Sequence, residues 1–207
     1  NLGAITATPG EEGECGLLYQ WGRKDPFIGK VRSTNYDSVT ATCTFEEGAV
    51  HTIDYSIAHP TTFIKGCSEN NDWLYISSSS ATDTTRWSSA KTIYDPCPEG
   101  WRVPDGGTDG VWAKAGMNAS TGTFYSLGFK FPTSITGQES WYPATGYMHS
   151  YFVNIGYGYY WSCTNATGNI YNADNLYFYQ SVSEINPYQT NGQHRAYGHA
   201  VRCQKIQ

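Results

Sequence analysis

The sequence has little charge and no long apolar stretch. Asp, Glu, Lys and Arg make up 15% of its 207 residues, and the formal net charge is −5. No basic run is longer than Arg23-Lys24, which argues against a nucleic-acid partner bound through its phosphates. No run of apolar residues is long enough to span a bilayer. We therefore predict neither nucleic-acid binding nor a transmembrane segment in this sequence.

The common catalytic and metal-binding motifs are also missing. The chain has no Gly-x-Ser-x-Gly, no His-Glu-x-x-His, no Gly-rich phosphate loop and no Cys-x-x-Cys. Cys163 is the only candidate nucleophile, and no cation lies near it in sequence to lower its pKa. The acids Glu139, Asp174 and Glu184 leave open a carboxylate pair for glycoside hydrolysis. We predict a protein that is not an enzyme and needs no cofactor, with a carbohydrate-active enzyme as the third-ranked alternative.

Aromatic residues, glycine and proline are abundant. Aromatics make up 15% of the chain, beside 22 Gly and 9 Pro, a mixture that favours short strands joined by many turns. The length suits one domain. Strand-like segments bounded by Gly, Asn or Pro predict strands within 129–131, 141–147, 159–164, 176–179 and 196–205.

Helical signals are few. Leu17, Leu18 and Trp21 have helical spacing, which predicts a helix over 15–25 that ends at Pro26. A second short helix is expected after residue 108, capped by Thr108 or Asp109, with Trp112 and Ala115 facing the core. Residues 50–57 alternate imperfectly between apolar and polar types and predict a strand.

Six cysteines in a turn-rich chain indicate an oxidising compartment. Six cysteines allow 15 pairings, and their spacing does not choose among them. Some of them also fit the alternative of buried thiols that pack as small apolar side chains.

Two distant segments resemble one known family. Residues 94–104 read Tyr-Asp-Pro-Cys-Pro-Glu-Gly-Trp-Arg-Val-Pro, and residues 198–203 read Gly-His-Ala-Val-Arg-Cys. With Asn-Leu-Gly-Ala at 1–4 and Gly-x-x-Tyr-x-Trp-Gly at 16–22, these motifs resemble the Fibrobacter succinogenes major paralogous domain, a C-type-lectin-like domain of bacterial surface proteins. The resemblance covers residues 1–25 and 94–205.

The resemblance implies an α+β, C-type-lectin-like fold with two short helices, small twisted antiparallel sheets and long loops. It implies one domain over 1–207, with an insertion at about 26–93 and with the N-terminal strand missing. By analogy Cys97 pairs with Cys203, while Cys43 with Cys67 is a candidate second bridge. The implied location is the bacterial cell surface or the extracellular space, on an outer-membrane lipoprotein or at a pilus tip.

The C-terminal third is rich in tyrosine and asparagine. Eleven of the 17 tyrosines lie between Tyr142 and Tyr197. Tyr, Asn, Ser and Gly also dominate antibody binding loops, where Tyr supplies amphipathic contact area and Asn and Ser supply adaptable hydrogen bonds. The composition resembles C-type-lectin-fold variable proteins diversified by retroelements. The candidate ligand-binding residues are Tyr147, Tyr151, Asn154, Tyr157, Tyr159, Asn172, Asp174, Asn175, Tyr177, Tyr179, Tyr188, Asn191 and His194.

The sequence therefore predicts a non-catalytic ligand-binding domain, an adhesin or receptor-binding module, that binds through Tyr/Asn-rich C-terminal loops. The expected ligand is a protein or glycan on another cell, or on a phage or host surface. The main alternative is a structural subunit of a pilus or other surface assembly, whose tyrosines are buried between subunits. A calcium site is a further alternative, with oxygen ligands from Asn172, Asp174 and Asn175 or from Asp105 and Asp109.

Overall fold

The computed structural model describes residues 1–28, 44–46, 51–65, 71–74, 83–133, 135–149, 152–153, 156–179 and 185–207. Across these ranges the fold is mixed α+β and consists mostly of β-sheet. Its helices are Ile53–Ala58 (α1), Val111–Lys114 (α2) and a 3-10 turn at Glu12–Glu14. No helix in the described ranges is both long and apolar enough to cross a membrane.

The strands are short, except for one long hairpin near the C-terminus. In chain order they are Leu17–Gln20 (β1), Pro26–Ile28 (β2), Thr44–Glu46 (β3), Thr62–Ile64 (β4), Trp101–Arg102 (β5), Thr123–Tyr125 (β6), Gly128–Pro132 (β7), Glu139–Pro143 (β8), Tyr147–Met148 (β9), Phe152–Val153 (β10), Tyr157–Asn165 (β11), Asn172–Tyr179 (β12), Ile185–Asn186 (β13), Gln193–His194 (β14), Gly198–Ala200 (β15) and Gln204–Lys205 (β16).

The largest sheet is organised around β15 and the β11–β12 hairpin. Its main order is β10-β9-β15-β11-β12-β13, while β1 pairs with β15, β2 with β1, and β14 with β12. Strand β15 is antiparallel to β1 and β9 and meets β11 in parallel where Tyr160 is opposite Ala200. Three smaller sheets are formed by β6-β7-β8, by β5-β16 and by β3-β4.

The main hydrophobic core lies between the large sheet and the β6-β7-β8 sheet. The large sheet contributes Leu18, Tyr160 and Phe178, and the smaller sheet contributes Phe129 and Phe131. All five are at most 1% exposed. The Tyr160 hydroxyl donates a hydrogen bond of 2.6 Å to the Pro143 carbonyl, so the polar tip of this ring is satisfied inside the core.

A second core, rich in tryptophan, lies beside the disulfide. Trp21, Trp87 and Trp161 are fully buried here, and Cys97 belongs to the same cluster. Cys97 is joined to Cys203 with a Cα–Cα distance of 5.9 Å, which confirms the predicted bridge. Strand β5 pairs with β16 next to it, so the two segments that carry the family resemblance meet in space. Cys43 and Cys67 lie outside the described residues.

The predicted helix over 15–25 is wrong, because this segment forms strand β1 and a turn. Leu18 packs in the main core while the next residue, Tyr19, packs in the tryptophan-rich core. A strand buried on both faces has a continuous apolar run instead of an alternating pattern, and here the run coincides with helical spacing. Gly16 and Gly22 flank the strand with positive φ angles of 73° and 77°. Pro26 does not end a helix but begins β2.

The predicted strand over 50–57 is also wrong, since residues 53–58 form α1. Thr52 caps this helix: its side chain accepts a hydrogen bond of 3.1 Å from the Tyr55 backbone N–H. The second helix is confirmed at Val111–Lys114, but its N-cap is Gly110 and no side chain caps it. Trp112 is buried as expected, whereas Ala115 is exposed.

The strand predictions near the C-terminus agree better with the structure. Strands β7, β11 and β12 contain the predicted segments 129–131, 159–164 and 176–179. The segment 141–147 is divided between β8 and β9, and 196–205 is divided between β15 and β16. Both divided segments pass from one sheet to another.

Candidate functional site

Alternation along β11 and β12 separates two kinds of side chain. Tyr160 lies in the main core, whereas Tyr157 and Tyr159 point to the opposite side of the sheet. The antiparallel register places Tyr157 opposite Tyr179 and Tyr159 opposite Tyr177. Four tyrosines therefore form two cross-strand pairs on the face that does not cover the main core. They belong to paired strands and not to the loops that the sequence predicted.

The neighbouring strands β9 and β15 extend this aromatic surface. The Tyr147 ring is 4.9 Å from Tyr159 and 5.5 Å from Tyr197, measured between ring centroids. Tyr197 is in turn 5.2 Å from His149 and 4.7 Å from His194. We call this surface the tyrosine face, and its members are Tyr147, His149, Tyr157, Tyr159, Tyr177, Tyr179, His194, Tyr197 and His199.

The rings hold one another in place. Tyr157 and Tyr179 stack at 4.1 Å with an interplanar angle of 23°, and Tyr159 lies 5.0 Å from Tyr177. Aromatic pairs in such geometries contribute about 0.5–1.5 kcal/mol beyond the area that they bury. Because these side chains are already ordered by their neighbours, they lose little conformational entropy when a ligand binds.

Exposure increases from the floor of the tyrosine face to its rim. His199 is fully buried and stacks on Trp161 at 3.9 Å, and Tyr159 beside it is 9% exposed. The other seven members are half-buried. The tyrosine face is thus a partly solvent-accessible aromatic surface with a packed floor.

The tyrosine face is electrically neutral at neutral pH. Burial lowers the pKa of His149, and Lys65 lowers it further. Burial also lowers the pKa of His194 and moves the pKa of His199 well below the usual value of 6.5. Burial raises the pKa of Tyr159, so its phenol stays protonated. Neutral phenols and imidazoles provide hydrogen-bond donors and acceptors on an apolar base.

The floor contains a histidine with unusual surroundings. Both ring nitrogens of His199 are buried, and neither has a hydrogen-bond partner among the described residues. Its ring lies near Trp161, Tyr159, Tyr147 and Tyr197. A neutral imidazole surrounded by rings contributes packing area in the manner of an aromatic side chain, at the cost of two unsatisfied polar atoms.

The structure divides the predicted ligand-binding residues into groups. Tyr147, Tyr157, Tyr159, Tyr177, Tyr179 and His194 come together on the tyrosine face. Tyr188 is half-buried and Asn191 is exposed, and both lie in the segment between β13 and β14. Tyr151 and Asn154 lie outside the described residues. Sequence reasoning missed His149, Tyr197 and His199, because their proximity depends on the pairing of distant strands.

The expected solvent-open position does not hold for the three polar residues at the start of β12. Asn172, Asp174 and Asn175 are 6%, 3% and 0% exposed. Asn172 donates through Nδ2 to the Asn191 carbonyl at 2.7 Å, and Asp174 accepts from the backbone N–H of Gln189 at 2.7 Å. Asn172 and Asp174 thus connect loops, and Asn175 donates through Nδ2 to the Leu176 carbonyl at 3.2 Å. None of the three joins the tyrosine rings, although Asp174 lines a separate small cleft.

The described residues do not form the cluster of oxygen ligands that the calcium alternative requires. Asp105 forms an ion pair with Arg102, and Asp109 is exposed. Among the residues with described positions, no group of three or more His, Cys, Asp or Glu side chains is arranged to hold a metal ion.

Cys163 has the properties of a structural thiol. It is 4% exposed, and burial raises its pKa to about 12, with Asp105 contributing in the same direction. The Arg102 guanidinium opposes this shift from 3.8 Å but does not overcome it. A thiol with this pKa carries almost no thiolate at neutral pH and is a poor nucleophile.

Of the three acids considered for glycoside hydrolysis, the two with described positions lie in different sheets. Glu139 is on β8 and pairs with Lys130 at 3.7 Å. Asp174 is buried in β12, and Glu184 lies outside the described residues. The tyrosine face is therefore the best-formed candidate site in the described structure.

Comparison with protein-family models, with curated proteins and with solved structures gave no match to this chain.

Proposed function

We propose that this chain is a non-catalytic ligand-binding domain displayed on a bacterial surface, and that it binds through the tyrosine face. The observation that carries the proposal is the array of seven half-buried Tyr and His rings on the sheet face opposite the main core. Tyrosine gives large contact area at small entropic cost and is enriched in binding loops and at the centres of interfaces.

The scaffold under the tyrosine face suits recognition. Strands β11 and β12 pair along most of their length, and the face opposite the tyrosines is packed against Phe129 and Phe131. The Cys97–Cys203 bridge fastens the neighbouring core. A rigid sheet that presents pre-ordered side chains loses little free energy to ordering when it binds.

The surface location and the C-type-lectin-like classification are proposed from the sequence resemblance. The disulfide supports an oxidising compartment such as the cell exterior. The meeting of β5 with β16 supports the family assignment, because both halves of the sequence motif build one local structure.

Retroelement diversification is part of the same proposal. Tyr157, Tyr159, Tyr177 and Tyr179 form one contiguous surface, so substitutions there would change the ligand without removing the core residues of the same strands. Sequencing the locus across isolates tests this idea. Variation confined to tyrosine-face positions supports it, and invariance at all four removes it.

Binding by the tyrosine face is tested with a double variant, Tyr157→Ser with Tyr179→Ser. Fluorescently labelled protein is applied to a panel of bacterial and animal cells and to glycan arrays. We expect wild-type protein to bind a subset of these targets and the double variant to lose that binding. Tyr125→Ser is the matched control, because Tyr125 is 53% exposed on β6 in another sheet. Equal binding by wild type and double variant refutes the role of the tyrosine face.

The structural-subunit alternative predicts a different result for the same wild-type and variant proteins. A subunit whose tyrosines are buried between copies forms filaments or oligomers, seen by light scattering and electron microscopy, and binds none of the displayed targets. The double variant would then abolish assembly. A monomer that binds a target supports the recognition proposal instead.

A further inference from the structure

A small cleft lies at the other end of the β11–β12 hairpin from the Tyr157–Tyr179 pair. Its volume is about 210 Å³. Three loops form it: the segment after β5, the turn that joins β11 to β12, and the segment between β13 and β14. The lining residues are Gly107, Thr108, Thr164, Asn165, Ala166, Thr167, Asp174, Tyr188, Gln189 and Thr190.

Among the described lining residues, Asp174 alone carries a carboxylate, and this group bridges two of the three loops. The backbone N–H of Gly107 donates to Oδ2 at 2.6 Å, and that of Gln189 donates to Oδ1 at 2.7 Å. Gly106 shows how tightly the carboxylate is held, since a Cβ at that position would lie 2.0 Å from Oδ2. The cleft is thus preformed around a fixed carboxylate.

No full positive charge compensates this carboxylate within the described part of the chain. None of the lining residues is Lys, Arg or His, and no described basic group forms an ion pair with Asp174. Burial raises its pKa to about 6 although hydrogen bonds from Gly107, Gln189, Asn175 and Ser162 favour the ionised form. At neutral pH the group is ionised, and a cation in the cleft would stabilise it.

We propose that this cleft binds a primary alkyl ammonium group, such as a lysine side chain, with Asp174 as the counter-ion. The four threonines, Ala166 and Tyr188 offer methyl, methylene and ring carbon to the alkyl stem. A compact ammonium suits the site better than a guanidinium, because bidentate pairing needs both carboxylate oxygens free in one plane. Both oxygens of Asp174 already accept backbone N–H groups.

The charge of Asp174 argues against a neutral sugar as the ligand, because a hydroxylated neutral molecule would leave that charge uncompensated. The Thr164 hydroxyl accepts a hydrogen bond of 2.9 Å from the Gly106 N–H, which helps to fix this wall of the cleft. This inference does not depend on the tyrosine face.

The test is a titration followed by NMR with Nα-acetyl-lysine methylamide as the probe. We expect millimolar binding with shifts of the Gly107 and Gln189 amide signals, and an affinity at least about tenfold lower for Asp174→Asn. The norleucine, arginine and glucose counterparts should bind more weakly. Equal binding of lysine and norleucine, stronger binding of glucose, or no binding of lysine each overturns the proposal.

A second variant protects the test against misfolding of Asp174→Asn. Thr167 lies exposed on the rim, so Thr167→Trp should block the cleft without disturbing the buried carboxylate. We expect it to abolish binding of the lysine probe, and unchanged binding overturns the assigned location. Tyr179→Ser should leave lysine binding intact, and its separate effect on cell binding distinguishes failure of this inference from failure of the tyrosine-face proposal.

Discussion

Removal of the Cys97–Cys203 disulfide should strongly destabilise the domain. The bridge joins residues 106 positions apart. The chain-entropy relation for a loop of this length gives about 5 kcal/mol at 25 °C. This is comparable to the whole free energy of unfolding of a marginally stable domain, about 5–15 kcal/mol. The variant Cys97→Ala with Cys203→Ala should therefore keep only about 0–10 kcal/mol of unfolding free energy and unfold at a much lower urea concentration than the wild type.

Urea unfolding followed by tryptophan fluorescence measures this effect directly. Trp21, Trp87 and Trp161 lie in the core that contains Cys97, so their emission reports on the affected region. Cys15→Ala is the matched control, because it removes a half-buried cysteine from outside this bridge. A loss below about 1 kcal/mol in the double variant would show that the loop closure contributes little. The reasoning from loop length would then be refuted.

Three further perturbations follow from buried contacts. The Asp72 carboxylate lies 2.5 Å from the buried guanidinium of Arg86 and 3.5 Å from that of Arg195. Asp72→Asn removes this shared anion and should lower the free energy of unfolding, measured by urea titration, by about 3–5 kcal/mol. A loss under about 1 kcal/mol would contradict this prediction. Gly158→Ala puts a methyl group 2.0 Å from the Phe178 ring. The clash should reduce the free energy of unfolding by about 1–3 kcal/mol and so lower the melting temperature. An unchanged melting temperature would mean that the ring moves aside freely. Burial lowers the pKa of His199, so acidification below about pH 6.5 destabilises the protein, because the unfolded chain takes up a proton that the folded state does not bind. Between pH 7 and pH 5 the wild type should therefore lose about 2 kcal/mol more unfolding free energy than His199→Phe. Equal losses would show that the folded state binds that proton. Asp174, whose pKa is raised to about 6, acts in the opposite direction but is common to both proteins.

Parts of the fold follow from local sequence. The strands at 159–164 and 176–179 are bounded by turn residues and rich in Tyr and Phe, and the structure contains them as β11 and β12. The Cys97–Cys203 pairing came from the family resemblance, because spacing alone leaves 15 choices.

Other parts depend on contacts between distant segments. Strand β1 was misread because Leu18 and Tyr19 are buried on opposite faces of the sheet, which removes the alternation that identifies a strand. The α1 helix was not predicted, because residues 50–57 alternate between apolar and polar types and the helical signal is a single residue, Thr52, whose side chain caps the helix. Both errors arise where local signals for helix and strand conflict.

The sequence predicted the tyrosines of the candidate site but not all of the residues that lie beside them. The tyrosines of β11 and β12 were identified, and their register brings them together. His199 joined them because β15 lies between β1 and β11, an arrangement that no local pattern encodes. Asn172, Asp174 and Asn175 were expected in contact with solvent, yet side chains and loops cover both faces of the sheet at that end of β12.

Oxidative footprinting of tyrosines on the target-bound protein tests recognition by the tyrosine face most directly. We expect Tyr157, Tyr177, Tyr179 and Tyr197 to be protected when the protein binds a cell or array target, while Tyr125 on β6 stays reactive. Protection of Tyr125 with undiminished labelling of the tyrosine face would contradict this expectation.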